Sequence, residues 1–319
     1  MPRDPKDGPS LAKVSIVPLL VLCMVAVSLS SILIRYSISS AFQVVFFRLA
    51  FTTLLVLPFV SWKREAFPSS TKDRGLLLLS GTALALHFIF WVSSLWYTSV
   101  SESVLLVVAT HPVLVAFASW VLFNEMPTKR AVAGMAVAVA GVMLIVISAS
   151  GSENLIADVL AILGGIAFAV YLLIGRSLRQ SVSVGNYTMP VYGFSVVVVA
   201  LIALALGQSL VVTEPREIGL FLLMALIPGL LGHTLYNYLL KRMRAYVVSV
   251  SLLAEPVGAS ILALLLLHEA PRDVVAFGNS MNILWFFPII IFGIYLVVSE
   301  RRVGEGRITG RPEKVIKRS

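Results

Sequence analysis

Four titratable side chains, Glu255, His87, His111 and His233, stand inside long stretches of the chain that are otherwise apolar. A charged carboxyl surrounded by hydrocarbon costs roughly 2.5 kcal/mol or more on insertion scales, so it is seldom idle. Three chemistries fit Glu255: a proton-coupling site, a counter-charge to a cationic or amino group of a solute, and a structural partner for a buried base. Ser251 lies one turn before it, and Gly258 and Ala259 lie one turn after, giving a polar and small-residue stripe suited to a cavity or a close helix contact. His87 and Trp91 are four residues apart and share a helix face with Ser94, while His233, Tyr236 and Asn237 share another. Each imidazole needs a polar partner at that depth, which favours positions facing a pore. Arg48 is the one base inside an apolar run, and its guanidinium can bind carbonyls or a carboxylate, or reach headgroups by snorkelling. Its expected role is structural or gating. Trp91 and Tyr171 would give a pocket aromatic walls that stack on planar or amphipathic solutes. No HxxxH pair or acidic cluster accompanies the histidines, and Cys23 is the single cysteine, so neither a metal, a cofactor nor an internal disulfide is expected.

Prolines mark where the backbone itself offers polar groups. Pro112 directly follows His111, and Pro256 directly follows Glu255. Within a helix each removes one hydrogen bond and frees the carbonyl four residues back, at Val108 and Leu252. Such carbonyls are tolerated at membrane depth only against protein or a wet cavity. Pro228, followed by Gly229 and Gly232, predicts a third irregularity.

The elements that must position these residues are transmembrane helices. The chain is 58% hydrophobic and 13% charged, with mean hydropathy +0.94, which excludes an ordinary soluble domain. Unbroken runs such as Val104–Phe123 do not alternate, which excludes a barrel of strands. Ten spans are drawn, at 14–35, 41–61, 74–97, 101–124, 130–149, 155–178, 187–207, 217–240, 246–268 and 277–299. With the N-terminus in the cytoplasm, the inner segments hold 21 of the 25 Lys/Arg and the outer segments only Arg35, Arg216 and Arg272. The expectation is a multi-pass protein of the inner or plasma membrane with both termini cytoplasmic. The first run is too long for a cleavable signal peptide. Seven bases between Arg301 and Arg318 make a tail for anionic lipid headgroups rather than for nucleic acid. Trp62, Trp96 and Tyr97 fall at span ends and read as interface anchors.

An internal repeat organises the spans. Pro112, Glu125 and Pro127 recur 144 residues later as Pro256, Glu269 and Pro271, and Arg35 recurs as Arg179. Glu125 and Glu269 are expected to close helices 4 and 9 at opposite membrane faces, while Glu102 is a helix-start charge. Five spans per half is an odd number, so the halves are inverted: residues 14–149 hold helices 1–5 and 155–299 hold helices 6–10, flanked by tails at 1–13 and 300–319. The match weakens over Gly278–Trp285, where the second half carries extra residues. Gly134, Ala138 and Gly141 suit a close approach of helix 5 to a neighbour, although no oligomeric state follows from the sequence.

The stretch from Tyr97-Thr98-Ser99 through Pro112 to Glu125 and on to Gly134 and Gly141 resembles the EamA-type domain of the drug/metabolite transporter superfamily, as does its second copy from Tyr236 through Glu255-Pro256 to Glu269. The likeness spans about residues 14 to 300. It implies a ten-helix exporter whose central cavity is lined mainly by helices 1, 3, 4, 6, 8 and 9 and handles amino acids, metabolites or drugs. Arg48 resembles an arginine that recurs in that family's second helix. No GxSxG, HExxH, Walker A or GxGxxG context is present, so neither an enzyme nor an ATP-driven pump is expected. The leading expectation is a secondary transporter exporting small metabolites by alternating access, proton-coupled if Glu255 serves that role. The rival is a membrane-embedded structural or sensory protein that keeps the fold without transport.

Overall fold

Serines start many of the helices. In a computed structural model, Ser40, Ser70, Ser99 and Ser183 each accept a hydrogen bond from the backbone amide three residues on, which satisfies an amide the helix itself cannot. At Ser40 the cap is reciprocal, because Gln43 reaches back to the Ser40 amide at 2.8 Å. The structure describes residues 16–60, 67–68, 70–148, 154–269, 273–276 and 279–299. Both tails, Trp62, the turn at 150–152, Pro271 and Gly278 lie outside them, and so does the expected lipid contact of the basic tail.

The helices are numbered here in chain order. Helix 1 is Ile16–Tyr36, helix 2 Ala41–Phe59, helix 3 Thr71–Ser94 and helix 4 Val100–Phe123. Helix 5 is Lys129–Ser148. Helix 6 is Leu155–Leu178, helix 7 Val184–Ala205, helix 8 Pro215–Leu240, helix 9 Ala245–Leu267 and helix 10 the shorter Leu284–Ser299. Among the described residues, eight helices are long and apolar enough to cross a membrane; helices 5 and 10 are not among them. The sequence reading of an all-α chain needs one correction. Residues 273–276 and 279–282 form a small antiparallel hairpin, β1 and β2, with Asp273 opposite Asn282. The extra residues of the second half are spent there, so span 10 does not start at 277 and its helix is correspondingly short.

Helix 3 packs on helices 6 and 7, and helix 4 packs on helix 6. The counterparts one repeat away pair in the same way: helix 8 on helices 1 and 2, and helix 9 on helix 1. Helices 5 and 10 pack on each other. A Cβ on Gly134 would meet the Gly293 carbonyl at 2.7 Å, and one on Gly293 would meet the Ala138 amide at 2.5 Å. The neighbour that Gly134 and Ala138 approach is therefore helix 10 of the same chain.

Candidate functional site

Helices 4 and 9 cross antiparallel at the centre of this arrangement, and their ends explain why. Each ends on a residue in the left-handed region, Asn124 at φ 53° and His268 at φ 54°, which are 144 residues apart. The next amide then turns back onto a repeat-equivalent carbonyl, Glu125 N–H to Ser119 O and Glu269 N–H to Ala263 O, at 3.1 and 3.2 Å. That geometry aims each glutamate at the opposite helix. Glu125 Oε2 accepts from the Ala245 amide at the start of helix 9 (3.3 Å), and Glu269 Oε1 accepts from the Val100 amide at the start of helix 4 (2.9 Å). Glu125 also pairs with Arg176 of helix 6.

Midway along, the two helices differ. Helix 4 runs as regular α-helix through Pro112. Helix 9 changes from α to a 3₁₀ turn at Leu252–Ala254, restarts as α at Glu255 with Pro256 in its first turn, and ends π-helical at Ala263–Leu267. Helix 8 likewise winds as a π-helix over Ala225–Thr234, the segment that holds Pro228 and His233, and the Thr234 hydroxyl donates to the Gly229 carbonyl at 3.1 Å.

Between these helices lies a cavity of ≈ 20 Å³, room for the centre of about one water molecule. Side chains from helices 1, 3, 4, 6, 8 and 9 line it, the set that the family resemblance implies. Of the sequence candidates, His87, Trp91, His111, His233 and Glu255 line it, and the Pro-freed positions Val108 and Leu252 do so too. His87 Nδ1 lies 2.9 Å from the Gly164 carbonyl, which can only accept, so Nδ1 carries the hydrogen and Nε2 of the neutral ring is an acceptor. His111 Nδ1 meets the Ser249 hydroxyl at 2.7 Å. His233 Nδ1 and Trp91 Nε1–H have no partner among the described residues. Glu255 is half-buried, and no described side chain hydrogen-bonds its carboxylate.

Arg48 sits behind this wall, only 1% exposed, so it does not snorkel. Its guanidinium lies 4.2 Å from the Phe88 ring centroid and donates to Ser30 Oγ at 3.1 Å, while Nη2 is left without a partner among the described residues. Arg48 thus faces the cavity through Ser30, without closing an ion pair to Glu255.

Tyr171, Tyr236 and Asn237 do not line the cavity, which corrects their placing. They lie one turn beyond it in a tightly packed polar layer. Asn237 Nδ2 donates to the Tyr171 hydroxyl (2.5 Å) and to the His233 carbonyl (2.8 Å), and Tyr192 and Tyr187 bond to Thr234 and Ser80. Arg179 closes that layer, donating to the Asn237 carbonyl at 2.9 Å; burial pulls its guanidinium down to about 10. Besides three valines, Val27, Val104 and Val107, two lining residues escaped the sequence reading, Phe168 and Ser30. Phe168, three residues before Tyr171 on the same face, packs against His87, His111 and His233 with ring centroids 4.7, 5.2 and 5.9 Å away. Ser30 had its signal in the run Ser28, Ser30, Ser31 of helix 1.

A model of the EamA-like transporter family matches residues 14–147 and again 155–299. A protein of Archaeoglobus fulgidus described as an uncharacterized transporter is 27% identical over 268 residues, covering 82% of this chain and 88% of its own length. A solved crystal structure superposes with a TM-score of 0.71 at 16% identity, over 90% of this chain and 98% of that one, which speaks for the fold alone.

Proposed function

The chain belongs to the EamA-like transporter family, and on that premise we propose that it is a secondary exporter of small metabolites, such as amino acids or related amphipathic and aromatic solutes. As a family member with several long apolar helices it is an integral multi-pass membrane protein. In this reading ten helices cross an inner or plasma membrane as two inverted halves, with both termini in the cytoplasm. The halves alternate in opening the central cavity to either side. The observation that carries the proposal is the cavity itself, enclosed between helices of both halves and lined by Glu255, three imidazoles and two large aromatic rings. It is too small for a metabolite as it stands, which supports a conformation closed at both ends. His87, His111, His233, Trp91 and Glu255 would meet the solute, Arg48 would hold the wall or gate it, and Glu255 is the candidate for coupling to protons.

Two measurements test this. Metabolites are screened for thermal stabilisation of the detergent-purified protein, since a ligand that binds the folded state raises its melting temperature by mass action. A stabilising solute is then taken up into vesicles under an imposed proton gradient. Wild-type uptake is expected to follow the gradient and Glu255→Gln to lose that dependence. Undiminished dependence in the variant would remove Glu255 as the coupling group.

A further inference from the structure

We propose that Glu125 and Glu269 are the two latches of the transport cycle, each closing one end of the path by capping the first turn of the other half's proline-bearing helix. The inference rests on the alternating-access reading, because a latch has meaning only if the ends open. Glu269, at the end of helix 9, holds the Val100 amide, and Glu125, at the end of helix 4, holds the Ala245 amide. These bonds lie at opposite ends of the antiparallel pair, so one can break while the other stays made. Neither glutamate is needed to end its own helix, since the left-handed residues Asn124 and His268 and the returning amides do that. Each carboxylate is thus free to act between the halves, and its amide partners are orphan donors at a helix start that gain most from an anion.

The latches are unequal. Glu125 is also paired with Arg176, with 11% and 17% of the two side chains exposed. The residue one repeat before Arg176 is Ile32, so Glu269 has no matching base. Among the described residues the Val100 end is tied further by Arg35 to the Thr98 carbonyl, Tyr36 to the Leu266 carbonyl, Ser101 to Ser260 and Asn154 to the Tyr97 carbonyl, and beside it Ser37 and Ser39 donate to the buried Glu217 of helix 8. Arg35 and Tyr36 are exposed side chains, whose bonds exchange readily with water.

Spin labels read each end without a substrate. In a Cys23→Ser background, cysteines replace the exposed pair Tyr97 and Leu266 at the Val100 end, or Met126 and Lys241 at the Ala245 end. Distances are measured by pulsed electron resonance in nanodiscs. Glu269→Ala is expected to raise the long-distance fraction of the Tyr97–Leu266 pair about tenfold and to leave the Met126–Lys241 pair unchanged. Glu125→Ala is expected to do the reverse, with Arg176→Gln reproducing part of it, and Glu269→Gln, which keeps an acceptor, to fall between wild type and Ala. Unchanged distances in variants that elute as monodisperse, cooperatively melting protein would overturn the proposal, as would either substitution opening both ends alike. A chain that carries no solute yet shows these shifts would refute the transport reading and leave the latches standing.

Discussion

Helices 4 and 9 are copies at their ends and strangers in the middle. Their C-termini share a left-handed cap, a returning amide on repeat-equivalent carbonyls and a glutamate thrown across to the partner helix. Midway, His111 and Glu255 occupy the same repeat position, each before its proline, yet one helix continues as α while the other breaks into 3₁₀ and π segments. In the transport reading proposed above, the ends are alike because closing a path from either side poses one mechanical problem twice. The middles differ in what they bring to the one cavity that both helices face, an imidazole from helix 4 and a carboxyl from helix 9.

The largest break in this comparison lies where each helix meets its neighbour through a glycine. A Cβ on Gly165 of helix 6 would come within 2.5 Å of the Val107 carbonyl and 2.7 Å of Thr110 Cβ on helix 4. One on Gly258 of helix 9 would collide with Ser28 Oγ of helix 1 and reach Ser28 Cβ at 2.8 Å. Backbone yields less than a hydroxyl that can rotate. Gly165→Val is expected to cost about 3 kcal/mol and Gly258→Ala about 1 kcal/mol, read from unfolding in detergent. Equal costs would mean that helix 4 gives way as easily as the broken helix 9.

The glutamates come next. Glu125→Ala removes a largely buried ion pair and a cap, and is expected to cost about 2 kcal/mol; Glu269→Ala removes the cap and is expected to cost about 1 kcal/mol. The difference should shrink in an Arg176→Gln background, because the surplus at Glu125 resides in that pair. If it persists there, Arg176 is not what distinguishes the two ends.

Much of this was legible in the chain because length and apolarity decide what crosses a membrane, and a fixed offset survives in any copy. The glutamate spacing predicted helices closed at Glu125 and Glu269, and the structure adds that each carboxylate bonds across to the other helix. Depth was harder. Tyr236 and Asn237 share a face with His233, as their spacing predicts, but helical spacing gives an angle around the axis and not a distance from the cavity. One turn on, Tyr171, Tyr192 and Tyr187 fill the space, so that face is packed where the sequence suggested it was open. Phe168 was passed over because an apolar ring in an apolar helix carries no contrast. Helix 10 was misplaced because the period of a short hairpin is too weak a signal beside a run of hydrophobic residues.

The smallest expected effect returns to the caps, where the copies look most alike. Asn124 and His268 hold nearly the same positive φ, and both are exposed. Asparagine tolerates the left-handed region through local hydrogen bonding, whereas histidine carries a bulkier branch close to the carbonyl. Glycine removes the Cβ penalty but loosens the unfolded chain, and the two terms oppose each other. His268→Gly is therefore expected to gain about 0.5 kcal/mol and Asn124→Gly to change stability by roughly nothing, measured as paired shifts in unfolding midpoint. A loss at His268 would mean that its imidazole, and not only its backbone, helps hold the end of helix 9. The likeness of the two caps would then stop at the dihedral angle.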